Sequence, residues 1–110
     1  MACNWNIDAI SVFFKNYFFI LYRSNPIELA NDADLLICES VYSSNLQDKA
    51  EEFKHMTSKS AAMVANQANV RQLILTHFSQ RYKNTQEIEE DARTYFDNVL
   101  CAVDFMKIDL

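Results

Sequence analysis

The chain contains no glycine. Ordinary usage of about 7% would supply roughly eight in a chain of this length, and glycine is the residue that enters the left-handed backbone region without steric cost. Its absence excludes glycine-rich phosphate loops and dinucleotide fingerprints. It also leaves tight reversals to Asn and Asp, whose short polar side chains tolerate the left-handed region better than other residues bearing a Cβ. Asn69, Asn84 and Asn98 stand between periodic segments, where such turns are needed.

The 110 residues fit one small domain. Half of them are hydrophobic and 13% aromatic, which excludes a disordered tail as the description of the whole. The formal charge of −5 argues against a free-standing nucleic-acid binder, because phosphate neutralisation needs a basic surface; any RNA contact must be local or made by other parts. Cys3, Cys38 and Cys101 are widely spaced and form no Cys-x-x-Cys pair. Neither a disulfide framework nor a cysteine zinc knuckle is indicated, and a reducing cytoplasm is the expected setting. The apolar stretch 10–22 is interrupted by Lys15 and Asn16, is too short for a membrane span, and lacks the basic leader of a signal peptide. No membrane association is expected.

From residue 25 onward, helix-like and strand-like segments alternate, the pattern of an α/β layered sheet. Pro26 can open a short helix through Asn31. Residues 35–38 form a short apolar run that reads as a buried strand, and residues 47–53 as an acidic helix. Thr57 caps a longer helix carrying Ala61, Ala62, Ala65 and Ala68, which Asn69 stops. Residues 72–76 read as a second buried strand that delivers His77 at its C-terminal end, where open α/β sheets place their ligands. Residues 87–96 read as an amphipathic helix, and the tail from 99 to 110 holds two strand-like pieces. Residues 1–24 differ in character, being rich in Phe, Tyr and Asn without a clear period; a buried helix and a strand pair are both compatible with them. The chain therefore divides into an apolar N-terminal segment, 1–24, and an α/β region, 25–110.

Few residues could carry chemistry. His77 reads either as a hydrogen-bonded structural histidine or as a ligand. His55, just before the Thr57 cap, reads as an exposed residue near a helix N-terminus or as a site residue. Glu39 follows a buried strand and would pair with a backbone amide or an Arg; Arg81 is most simply a surface residue. No close His-x-His or Glu-x-x-His spacing appears, so these residues alone indicate only a candidate site at the strand ends.

A resemblance sharpens this reading. Residues 76–82, Thr-His-Phe-Ser-Gln-Arg-Tyr, are similar to the ribonuclease Z signature Thr-His-Phe-Ser-x-Arg-Tyr. Residues 33–40, Ala-Asp-Leu-Leu-Ile-Cys-Glu-Ser, resemble that family's Asp-Leu-Leu-Ile-His-Glu-Ala-Thr segment, in the Cys-Glu-Ser form associated with archaeal members. His55-Met56-Thr57 resembles its His-Ser-Thr motif, Phe96-Asp97-Asn98 its Phe-Pro-Asn turn, and Ala102-Val103-Asp104-Phe105 its Ala-x-Asp-Phe motif. The matches keep the family's order and spacing across residues 25–110.

The resemblance implies the C-terminal half of a metallo-β-lactamase αββα sandwich, a mixed sheet flanked by helices. It implies zinc-dependent hydrolysis of precursor tRNA, with two zinc ions per site in the family. His77 is then a metal ligand and His55 a proton-transfer residue. Glu39 is a catalytic-site carboxylate that orients His55, while Thr57, Ser79, Arg81, Tyr82, Asp104 and Phe105 support the motifs. Two departures matter. The family's His-x-His-x-Asp-His motif is absent, and Phe19 occupies the position of the Asp that bridges the zincs. Zinc binding by this chain alone is therefore expected to be weak or absent, and cleavage to require a complementing N-terminal half. Asp32, Asp34 and Cys38 are reserve donors. The alternative is a non-catalytic interaction or oligomerisation module, with Phe13, Phe14, Phe18 and Phe19 covering an open sheet face or mediating a homodimer.

Overall fold

The computed structural model describes residues 10–12, 17–20, 26–103 and 106–108. The elements are β1 (Ile10–Val12), β2 (Tyr17–Ile20), α1 (Pro26–Ala30), β3 (Leu35–Glu39), a 3-10 turn (Ser44–Leu46), α2 (Gln47–Glu52), α3 (Ser58–Gln67), β4 (Gln72–Thr76), α4 (Gln86–Arg93), β5 (Val99–Cys101) and β6 (Met106–Ile108). Four strands form one sheet in the order β2-β3-β4-β5, and β1 pairs with β6 apart from it. The α/β class expected from the alternating segments is the class observed. Where a mixed sheet is expected, every strand pair among the described residues is parallel. The reason is connectivity: α2 and α3 carry the chain from β3 back to β4, and α4 carries it from β4 to β5.

Two-residue alternation divides the sheet's side chains. Leu36 and Cys38 of β3 join Leu73 and Leu75 of β4 in the larger core, with Ala61, Ala62 and Ala65 of α3 and Ile88 and Ala92 of α4. Leu35, Ile37 and Ile74 form a second cluster, against which Ala102 and Met106 pack. Each fully buried Leu or Ile stabilises the fold by about 1.5–3 kcal/mol. As the sequence predicts, Thr57 caps α3, its Oγ1 accepting the Ser60 N–H at 3.1 Å.

Left-handed backbone occurs at Asp32, Lys54, Asn69 and His77. Asn69 is thus a left-handed turn residue, as expected, but Asn84 and Asn98 are not. Their side chains serve the turns instead: Asn84 Oδ1 accepts the Gln86 N–H at 3.0 Å, and Asn98 Nδ2 donates to the Arg71 carbonyl at 2.7 Å.

Of the N-terminal segment, β2 joins the main sheet, with Tyr17 opposite Leu35 and Phe19 opposite Ile37. Phe18 and Phe19 thus belong to its end strand. Phe13, Phe14, Asp104 and Phe105 lie outside the described residues. Among the described residues no helix is long and apolar enough to cross a membrane.

Candidate functional site at the strand ends

The β3–β4 register builds the site. Glu39 stands opposite Thr76, and the Ser40 N–H donates to the Thr76 carbonyl at 2.8 Å. One residue later, His77 turns out of the strand at φ 67°, a left-handed conformation in which His is enriched among residues bearing a Cβ. The chain then returns alongside β3's continuation, where the Ser79 N–H donates to the Val41 carbonyl at 3.0 Å. His55 arrives from the other side. Left-handed Lys54 reverses the chain after α2, the His55 N–H donates to the Ala50 carbonyl at 2.8 Å, and the Val41 N–H donates to the Met56 carbonyl at 3.0 Å.

The three side chains the sequence singles out therefore meet. His55 Nδ1 lies 2.9 Å from Glu39 Oε2, and His77 Nδ1 lies 3.9 Å from the same oxygen. The imidazole centroids are 6.1 Å apart, edge to face. The Glu39 side chain is only 3% exposed, against 12% for His77 and 23% for His55. Glu39 is thus a partner of both imidazoles. Burial lowers the His77 pKa below its ordinary value; the Glu39 carboxylate opposes this and His55 reinforces it. The result favours the neutral imidazole, the form that ligates metals. An Nδ1–H donated by His55 to Glu39 would leave its Nε2 available to exchange a proton.

The reserve donors lie elsewhere. Cys38 faces the core, its Sγ 3.4 Å from Met56 Sδ, and burial followed by the Glu39 charge pushes its thiol far above the ordinary range. Asp32 accepts from Asn69 Nδ2 at 3.1 Å, and Asp34 lies 3.7 Å from Arg71; both precede β3 and so sit at the end of that strand opposite Glu39. Among the described residues, no three His, Cys, Asp or Glu side chains are grouped so as to hold a metal ion.

The remaining motif residues frame the site. Thr57 Oγ1 donates to Gln47 Oε1 at 2.9 Å, and Ser79 Oγ accepts the Arg81 N–H at 3.3 Å. Tyr82 Oη accepts the Ser43 N–H at 2.9 Å. Arg81 is exposed but not idle, for its guanidinium lies 5.4 Å from the Tyr42 ring centroid. Tyr42, Lys49, Phe53, His55, Ser79 and Arg81 line a groove of about 410 Å³. Two cations and no carboxylate line it, in a chain of net charge −5. Lys49, Phe53 and Tyr42 were not singled out by the sequence; the only signal was the four-residue spacing of Lys49 and Phe53, which places both on one side of α2.

No protein-family model matches the chain. In sequence it is similar to the ribonuclease Z of Protochlamydia amoebophila, with 45% identity over 91 residues covering 78% of this chain and 30% of that protein. In structure it is similar to the short form of human tRNase Z, with a TM-score of 0.56 and 38% identity across 73% of this chain and 26% of that one. It is likewise similar to the metallo-β-lactamase fold protein YhfI from Bacillus subtilis, with a TM-score of 0.69 and 26% identity across 80% of this chain and 37% of that one. The chain thus spans about 30% of the length of the ribonuclease Z relative it matches. Through most of its own length the chain is homologous to part of ribonuclease Z, and its fold is of the metallo-β-lactamase kind.

Proposed function

We propose that this chain carries the proton-transfer side of a ribonuclease Z centre acting on precursor tRNA, with His55 as general acid, Glu39 as the residue that positions it, and His77 as one metal ligand. The observation that carries this reading is the 2.9 Å contact of His55 Nδ1 with buried Glu39 beside an open, cation-lined groove. The carboxylate accepts Nδ1–H and holds the ring, so that Nε2 of the protonated imidazole can donate to the oxygen leaving phosphorus. Lys49 and Arg81 offer positive charge to the phosphates, and Phe53, 53% exposed, offers a face for an unpaired base.

Zinc, which the family implies, does not fit the described residues as a complete site. His77 supplies one imidazole where a catalytic zinc takes about three protein ligands. The remaining donors would come from a complementing polypeptide bearing the His-x-His-x-Asp-His motif. The free, buried Cys38 and Cys101 suit a reducing cytoplasm.

The test mixes the purified chain with such a polypeptide and a precursor tRNA. Chelator-sensitive cleavage by the mixture, abolished by His77→Ala and slowed by His55→Ala, supports the reading. Cleavage indifferent to both substitutions overturns it. A second reading, a non-catalytic module pairing with another copy or with a longer homologue, draws on the place of apolar β2 at the end of the sheet. A concentration-dependent dimer without cleavage in any mixture favours it.

A further inference from the structure

The stretch that carries His55 leaves the fold at Ser44 and re-enters it at Ser58, and one carboxylate on a different helix holds both ends. Asp91 of α4 accepts the Ser44 N–H at 3.0 Å through Oδ2 and the Ser44 hydroxyl at 2.6 Å through Oδ1. The Ser58 hydroxyl also donates to Oδ2. One helical turn earlier, Glu87 Oε1 accepts the Ser43 hydroxyl at 3.1 Å. A backbone bond from the Ser58 N–H to the Tyr42 carbonyl, 2.9 Å, closes the same neck. Ser44 opens the 3-10 turn and Ser58 opens α3, so Asp91 also meets the positive ends of two helical segments.

We infer that Asp91 is a positioning residue for His55, setting the width of this neck and with it the reach of His55 to Glu39. Adhesion of α4 to the core does not need a carboxylate here, because Ile88 and Ala92 of the same helix are fully buried in it. A half-buried charge without a cation is costly unless its donors converge. Among the described residues Asp91 has no ion-pair partner, and its three donors all come from the two ends of the neck. The excursion depends on that neck, since Ala50 is the only buried residue of α2 and Phe53 lies open to solvent. Its other apolar anchors, Met56 in the larger core and partly buried Leu46, adjoin the two ends, so the excursion is fixed chiefly where its ends are held. This inference rests on the reading of His55 as the proton donor, but its test needs neither metal nor RNA.

The experiment records the imidazole 15N resonances of the full chain at neutral pH, with thermal unfolding followed in parallel. In the unsubstituted chain, His55 should give the separate Nδ1 and Nε2 signals of a single tautomer with Nδ1 protonated. Asp91→Asn keeps the shape of the side chain but removes its charge and one accepting oxygen. The folded variant should show the two His55 signals drawn together, as in a ring exchanging between tautomers. Ser58→Ala, which removes one arm, should shift them less in the same direction, and Glu90→Gln, on the exposed side of α4, should leave them unchanged. If Asp91→Asn does not fold, Ser58→Ala is read in its place. A lowered melting temperature with His55 signals identical to the unsubstituted chain would show that Asp91 only stabilises the fold, and would overturn the inference while leaving the proposed nuclease role standing.

Discussion

Glu39 and Thr76 are partners in the parallel β3–β4 ladder, and that single register is what places a carboxylate beside the histidine that follows Thr76. The same carboxylate oxygen reaches His55 at 2.9 Å. Replacing it by an amide of equal shape removes the charge from this hydrogen bond. Glu39→Gln should cost about 1–2 kcal/mol, the margin by which a charge-assisted bond exceeds a neutral one. Urea unfolding at pH 7 measures it, and an unchanged midpoint would mean that the pair contributes nothing to stability.

The pH dependence of stability should carry the signature of His77. Its pKa is lowered from 6.5 in the folded chain, chiefly by burial. As pH falls through about 6.5, the unfolded chain therefore binds a proton that the folded chain resists. His77 thus contributes stability that is present above that pH and is lost on acidification towards its lowered folded pKa. His77→Asn should flatten this part of the stability profile, read by thermal unfolding from pH 7.5 down to 5. A variant profile parallel to the original would assign the slope to other groups.

Thr57 is fully buried and joins the cap of α3 to α2 through Ser60 and Gln47. Thr57→Ala should destabilise by about 1–2 kcal/mol, and Thr57→Ser should recover most of the loss because it retains the hydroxyl. Equal losses in the two variants would trace the effect to the missing methyl group rather than to the cap.

Lys54 is exposed and sits at φ 56° immediately before His55. Lys54→Gly relieves the clash of Cβ with its own backbone, at the cost of a more flexible unfolded chain. A net gain of about 0.5 kcal/mol is expected, visible as a rise in melting temperature. A fall would show that the lysine side chain holds this turn by contacts of its own.

Local signals made some of this readable from sequence. The apolar run at β4 and the Thr57 cap of α3 depend on neighbours in the chain, and both elements lie where those neighbours put them. Asn84 and Asn98 misled because a turn can be closed by a side-chain amide as well as by a left-handed backbone. The meeting of Glu39 and His55, sixteen residues apart with α2 between them, follows from no periodicity; it was anticipated only through the family motifs. Asp91 meets its donors through tertiary neighbours that leave no mark on local pattern, and of the groove only the four-residue spacing of Lys49 and Phe53 shows in the sequence.

Parallel pairing governs how this chain can assemble in time. A tight turn cannot close a parallel pair, so no two strands of the main sheet can zip together from a local hairpin. Leu35 must find Gln72 and Leu73 must find Val99 only after the intervening helices have collapsed between them. Loop closure then precedes the contacts that reward it, which makes folding slower than that of helical bundles built on local contacts. During that interval the apolar strands Leu35–Glu39 and Gln72–Thr76 have unpaired edges, and the nascent chain is most exposed to association with other copies of itself.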